Sequence, residues 1–289
     1  MTAVELRERI AAVAGTGVRE LRRAGSQHGW QHIRVTLADG RKAFAKVSSA
    51  DTGPALEAEA RGLRWLADAV SVPVPAVLGQ DSHVLVLSWI PPGSADPGAA
   101  AMFGRELARL HAAGAVGYGA PWPGFIASLP LNNAPCPASR GWAEWYAERR
   151  IVPYLRRAAD VGTLGRDDVR LVEMVTRRIS ALAGPAEPPS RIHGDCWSGN
   201  VMWSQGRGWL IDPAAHGGHR ETDLAMLALF GAPHLDHIIR AYTETAPLAD
   251  GWRARVPLHQ LHPLLVHVCL FGAGYRDSAL AAARAALAA

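Results

Sequence analysis

Pro91-Pro92-Gly93 divides this 289-residue chain into a strand-bearing part and a mainly helical part, and no other feature narrows the fold as much. Upstream, Val4, Leu6, Ile10 and Val13 are spaced for a helix over residues 2–14, and the chain then reads as strands. Ile33, Val35 and Leu37 alternate up to Asp39-Gly40, a tight-hairpin signal, and Ala43 to Val47 returns beside them. After the turn Asp51-Thr52-Gly53-Pro54 a helix runs to about Ala69 and precedes another strand in the segment 77–90, His83-Val-Leu-Val-Leu-Ser-Trp-Ile90, which stops at the two prolines. Downstream the period is helical over about 98–113, 140–159, 167–183, 220–230, 234–245 and 256–289, the last with a break. Two stretches depart from it. Residues 190–213 read as short strands around polar loops, and 115–139, rich in Pro, Gly and Asn, is expected as one long loop. The expected class is α+β in two lobes, a small antiparallel sheet with a helix over 1–90 and a larger, mainly helical lobe over 91–289.

Hydrophobic residues at 49% against 19% charged supply a core and exclude a wholly disordered chain. Thirty basic against 26 acidic residues leave a net +4, with arginines scattered from Arg7 to Arg284, so nucleic acid is not an expected partner. The start, MTAVELRERI, carries acids and no apolar run of signal length, and no stretch of 18 apolar residues lacks a charge or a helix breaker. Neither export nor a membrane partner is expected. Cys136, Cys196 and Cys269 form neither a metal ladder nor a disulfide framework, which points to a reducing cytoplasm.

The sharpest segment is His193-Gly-Asp-Cys-Trp-Ser-Gly-Asn200, followed by Ile211-Asp212-Pro213. An Asp with an Asn five residues on, then an Asp beyond a short hairpin, is the spacing that kinase-like phosphotransferases use for base and metal ligands. Moving a γ-phosphoryl group needs a carboxylate near the incoming hydroxyl and hard oxygen ligands holding Mg²⁺ on the phosphates. Asp195 is therefore the candidate base, and Asn200 and Asp212 are the candidate metal ligands.

The same chemistry needs a cation on the phosphates. Only Lys42 and Lys46 among the 30 basic residues are lysine, and Lys46 lies on the strand after the hairpin. Glu59 falls roughly 50° from the centre of the apolar face of the next helix, where an unpaired acid is costly. A Lys46–Glu59 ion pair is expected. Gly25-Ser26-Gln27-His28-Gly29 sits in the turn that would cover the nucleotide phosphates, with Gly25, Ser26 and Gly29 as the candidate contacts, and it lacks a Walker pattern. Ser88 and Ile90, at the end of the strand before the prolines, would offer backbone to the adenine edge.

Other residues read as support. His111 either helps seat the catalytic loop or is a satisfied interface histidine. Asp223 either accepts backbone N–H groups of that loop or caps a helix. Trp142, Trp145 and Tyr146 share one helix and read as packing. Cys196 lacks an oxyanion-hole signature and is not read as a nucleophile.

These segments resemble the fructosamine kinase (ketosamine-3-kinase) family, within the aminoglycoside phosphotransferase and choline kinase group. The loop 193–200 is similar to that family's His-Gly-Asp-Leu-Trp-Ser-Gly-Asn, and Ile211 to Met226 is similar to its Asp-Pro-Ala segment running into Gly-Asp-Arg-Glu-x-Asp-Leu-Ala-Met. Further matches are Phe44-Ala-Lys46, Glu57-Ala-Glu59-Ala with Gly62-Leu63, the Pro91-Pro92 stop and Leu107-Ala-Arg-Leu-His111, so the likeness extends from about residue 20 to 275. It implies a protein-kinase-like bilobal fold and ATP- and magnesium-dependent phosphorylation of the sugar 3-hydroxyl of a ketosamine, free or protein-linked, by a monomer or homodimer. By position it implies Lys46 and Glu59 in the phosphate clamp, Asp195 as base, Asn200 and Asp212 on magnesium, and His193 and Asp223 in support. Trp197 would pack on the sugar or anchor the loop. Cys196 stands where leucine is usual, and His219 where the family has Asp. The loop at 25–29 holds no thiol for a redox-linked dimer. Three other readings stay open: a kinase for an aminoglycoside, choline-like alcohol or other sugar; a nucleotide-binding pseudokinase; and a metal-dependent hydrolase built on His193, Asp195, Asp212 and His216.

Overall fold

In this computed structural model, residues 2–27, 29–48, 53–137 and 141–289 are described. His28, Asp51 and Thr52, which the sequence reading placed in turns, lie outside them.

Helix α1 (Ala3–Ala14) opens on a capping box, in which Thr2 accepts from Glu5 N–H and the Glu5 carboxylate takes Thr2 N–H. It packs on a five-stranded antiparallel sheet of order β1-β2-β3-β5-β4, built from β1 (Val18–Gln27), β2 (Trp30–Leu37), β3 (Lys42–Ser48), β4 (Val77–Gln80) and β5 (Val84–Ser88). The period of two divides each strand between two faces. Ile33, Val35, Leu37, Ala43, Ala45, Val47, Val84 and Val86 meet Ile10 of α1 on one side. Trp30, Leu85 and Leu87 meet Ala55, Leu56, Ala60 and Leu63 of α2 (Gly53–Ala67) on the other. Burial on both faces explains the unbroken apolar run at 84–87. The segment 77–90 holds two strands rather than one, because β4 returns along β5 as an edge.

Past the prolines, α3 (Pro97–Ala112) starts at the N-cap Asp96 and packs along α9 (Leu235–Thr245). The expected loop at 115–139 is partly ordered, with β6 (Gly117–Tyr118) pairing β9 (Cys136–Pro137) and β7 (Gly124–Ile126) pairing β8 (Leu129–Leu131). Helix α4 (Trp142–Tyr146) joins α5 (Val152–Asp160) through one π turn at Ala147–Ile151, just before Pro153, which has no N–H to give to the ladder. Trp142, Trp145 and Tyr146 are buried in the larger core, as packing residues. Helices α6 (Arg166–Arg177) and α7 (Ile179–Leu182) follow.

Two small sheets then suspend the polar loops. Strand β10 (Ser190–Ile192) pairs with β13 (His216–Gly218), and β11 (Val201–Ser204) pairs with β12 (Arg207–Leu210). Helices α8 (Arg220–Leu229), α10 (Trp252–Phe271) and α11 (Arg276–Ala288) complete the chain, the last two separated by a 3-10 turn at the expected break. Residues 252–288 are long and apolar enough to cross a membrane, but Leu261, Leu264, Leu265 and Val268 pack inside the helical core.

Candidate active site

The sheet and the helical part face each other across a cleft of about 440 Å³. Lys46, Glu59, Ser88, Ile90, Asp195, Trp197, Asn200 and Asp212 all line it, although they come from five separate segments.

Alternation along β3 buries Ala43, Ala45 and Val47 against α1 and turns Lys46 to the cleft. Its ammonium is 2% exposed and donates to Glu59 Oε2 at 2.8 Å and to Asp212 Oδ1 at 2.6 Å. Burial opposes the charge on Lys46, but the two carboxylates outweigh it and hold the pKa above the ordinary lysine value. Burial raises the pKa of Glu59 despite Lys46. Burial works the same way on Asp212, yet the charge and hydrogen bond of Lys46 leave it below the usual range. Asp212 adopts a left-handed backbone (φ 52°), an uncommon conformation for a residue with a side chain, directly after β12.

The loop 193–200 is held from behind. Asp223 on α8, fully buried, accepts His193 N–H at 2.7 Å and Gly194 N–H at 2.9 Å, and also the Nε2–H of His111 at 3.2 Å. Burial pushes the Asp223 carboxyl up, and the His111 hydrogen bond and neighbouring imidazoles bring it below the ordinary aspartate value. His111 thus seats the loop through Asp223, and its Nδ1 accepts from Tyr242. Gly194 has φ 80°, and a Cβ there would lie 2.4 Å from the Ala214 carbonyl, so the turn requires glycine. His193 donates Nε2–H to the Ile211 carbonyl at 2.8 Å and accepts Asp195 N–H on Nδ1, tying the loop 193–200 to the segment after β12 that carries Asp212.

Asp195 takes the Asn200 amide on Oδ2 at 2.9 Å. Burial, then the charges of Asp212 and Asp223, raise its carboxyl to about 7 against the opposing Asn200 hydrogen bond. Asn200 Nδ2 also donates to the Asp195 carbonyl at 2.9 Å, which fixes the amide and leaves its oxygen as an uncommitted acceptor. A neutral amide oxygen and a carboxylate, both hard donors on one cleft, fit magnesium.

The hairpin is arranged differently from the expectation. Gly25 and Ser26 end β1 and Gly29 precedes β2; all three are exposed at the tip and none lines the cleft, whereas Gln27 does. At the strand end, Ser88 N–H is taken by the Ala76 carbonyl and Trp89 N–H by that of Lys42. Among the described residues Ile90 N–H has no partner. Cys196 is fully buried and burial raises its thiol well above the ordinary value, which removes it as a nucleophile. The hydrolase arrangement is not formed either, since both ring nitrogens of His193 are committed and His216 Nδ1 is bound to the Ala214 carbonyl.

Sequence reasoning missed several lining residues. Trp30 and His32 lie on the face of β2 opposite Ile33 and Val35, and the period of two already held that signal. Trp122, Phe125 and Asn133 come from the Pro-rich segment, where no periodicity marks them. Buried Arg150 fixes that segment, giving Nη1–H to the Asn132 carbonyl at 2.6 Å and Nη2–H to Asn133 Oδ1 at 2.8 Å, with its guanidinium over Trp145. His219 replaces the expected acid and caps α8 in its stead, Nδ1 accepting Glu221 N–H at 3.2 Å. His219, Glu221 and His259 are close enough for a metal, but Arg255 donates to both Glu221 oxygens, and the cap bond puts the His219 proton on Nε2. The cluster is a structural network.

A solved structure from Thermobifida fusca, assigned provisionally as a fructosamine-3-kinase, is 52% identical over the whole of both chains, with a TM-score of 0.95. A probable ketoamine kinase of Klebsiella aerogenes is 33% identical over 253 residues, 86% of this chain and 85% of that protein. An ADP-bound aminoglycoside phosphotransferase shares the fold at 14% identity, with a TM-score of 0.67 over 98% of this chain and 99% of that one. The fructosamine kinase family profile matches residues 9–289, and the chain belongs to that family of phosphotransferases.

Proposed function

We propose that this protein transfers the γ-phosphoryl group of ATP to the sugar 3-hydroxyl of a ketosamine, with residues 1–90 as the nucleotide lobe and 91–289 as the catalytic and acceptor lobe. The observation that carries the reading is the buried Lys46 bridging Glu59 and Asp212 in a cleft whose helical wall presents Asp195. Lys46, fixed by Glu59, is positioned to take the nucleotide phosphates, and Ile90 N–H to take the purine edge. Asn200 Oδ1 and Asp212 would hold magnesium, which would supply positive charge against the phosphates. Asp195, with a pKa near 7, accepts the proton of the attacking hydroxyl as the new O–P bond forms and the bond to ADP breaks. A pKa near neutrality leaves part of the population ionised to accept that proton and makes the carboxylate a stronger base than an ordinary aspartate. Trp197 at the cleft wall offers an aromatic face to the sugar. The ketosamine rests on the family and on relatives described as ketoamine kinases. Three free cysteines suit a reducing cytoplasm.

The test is ATP consumption with fructosamine-type compounds, aminoglycosides and simple alcohols, with the phosphorylated carbon located by phosphorus and carbon NMR. Transfer to the sugar 3-hydroxyl of ketosamines is expected. Efficient use of aminoglycosides with no transfer to ketosamines would replace the acceptor, and ATP binding without any transfer would favour the pseudokinase.

A further inference from the structure

The aromatic surface does not end at the cleft. Phe230, at the C-terminus of α8, meets Trp197 edge-on at 5.8 Å. Phe230 in turn meets His267 at 5.2 Å, and His267 meets Phe271 at 5.4 Å and Tyr275 at 4.8 Å. The rings form one ridge from the cleft wall to the end of α10. Phe230 is 36% and Phe271 55% exposed, and they are the two aromatic members among the large apolar side chains that the described residues leave in solvent.

Two further features define what such a ridge can take. Arg276, next in the chain to Tyr275, is turned away into ion pairs with Asp168 and Asp277, so no guanidinium covers the rings. His267 donates Nδ1–H to the Pro263 carbonyl at 2.7 Å, which leaves Nε2 as a hydrogen-bond acceptor, and burial holds the ring below its ordinary pKa, in the neutral form. Electron-rich ring faces beside a neutral imidazole acceptor suit a cation that donates hydrogen bonds and carries an apolar stem.

We propose that the Phe230–His267–Phe271–Tyr275 ridge seats the amine-bearing arm of a peptide-linked ketosamine. The proposal rests on the ketosamine reading above. A ketosamine nitrogen is a secondary amine, cationic at neutral pH, attached beside the sugar. With the sugar on Trp197, the arm continues onto Phe230, where the cation meets ring faces and His267 Nε2, and the aliphatic stem of the carrier residue covers Phe271 and Tyr275. The ridge thereby selects ketosamines attached to peptides over those attached to a minimal amine.

The experiment compares kcat/KM for fructosyl-methylamine and for a short neutral peptide fructosylated on a lysine side chain, using the full chain as wild type, Phe271→Ala, Phe271→Lys and Phe230→Ala/Phe271→Ala. The readout is the ratio of the two kcat/KM values, which cancels any loss of folded protein. Wild type is expected to favour the peptide, and the double variant to lower the ratio about 5- to 30-fold through lost packing on the aliphatic stem, since both substrates carry the ammonium and its contacts cancel. Phe271→Lys, which sets a charge where the apolar stem packs, should lower it at least as much as Phe271→Ala. A ratio within twofold of wild type in every variant overturns the ridge while leaving the kinase reading intact. Transfer to neither ketosamine overturns both.

Discussion

Asp195→Asn separates what the fold prefers from what the reaction needs. Burial and the neighbouring Asp212 and Asp223 hold the Asp195 carboxyl at about 7, where a free aspartate has 3.8. The folded protein therefore binds this proton more tightly than the unfolded chain, and stability falls as pH rises from about 4 through 7. At pH 8 the ionised carboxylate destabilises the fold by up to about 4 kcal/mol. Asparagine has the same shape, its oxygen accepts the Asn200 amide, and it carries no charge. It should recover part of that penalty, about 1 to 2 kcal/mol, and raise the melting temperature at pH 8 by about 2 to 3 °C. The gain should shrink as pH falls toward 4.5. Turnover should drop about 10² to 10⁴-fold with ATP affinity nearly intact. The assays are thermal melting from pH 4.5 to 8.5, ATP titration and steady-state turnover. A variant no more stable than wild type at pH 8, or with the same advantage at every pH, would refute the burial argument. Near wild-type turnover would refute the base.

In a double-mutant cycle, Lys46→Ala with Glu59→Ala should cost ATP turnover little more than the worse single, because Glu59 acts through Lys46; full additivity would show that they work apart. Trp197→Ala should lose about 1 to 3 kcal/mol in acceptor kcat/KM with ATP binding spared, and an unchanged kcat/KM would make the ring a loop anchor only. Arg150→Met strands the buried Asn133 Oδ1 and removes the donor to the Asn132 carbonyl, and should lower stability by about 1 to 3 kcal/mol and raise acceptor KM more than ATP KM, read by melting and by separate titrations of the two substrates; equal rises in both KM values would detach Arg150 from the acceptor side.

What was legible in the sequence follows from how far each signal reaches. Period-two alternation gave the strands at 30–48, and period 3.6 gave the inward turn of Glu59, because burial of one face acts residue by residue. The spacing from Asp195 to Asn200 and Asp212 was legible because one hairpin, β11–β12, spans it. The edge strand β4 was not separated from β5, since Val77 to Gln80 are only half buried and alternate weakly. The hairpin tip was assigned from glycine content, but exposed glycines report backbone geometry and not contact, and Gln27 carries the contact with the cleft. Asn133 and Arg150 could not be found by any period, because a buried guanidinium 17 residues away holds the loop through its carbonyl groups.

The two aspartates of the catalytic loop region show why burial alone does not set function. Asp195 and Asp223 are both withdrawn from water, yet their carboxyls shift in opposite directions. Asp223 faces backbone N–H groups and His111, all donors to its charged form, and stays ionised as the fixed anchor of the loop. Asp195 faces one amide and two like charges, so its proton is held tightly enough to be taken up and released near neutrality. Without those donors Asp223 would lose its hold on the His193 and Gly194 N–H groups, and the loop its anchor. The positions of His111, His193 and Asn200 around the two carboxylates therefore separate the one that holds the loop from the one proposed to move a proton.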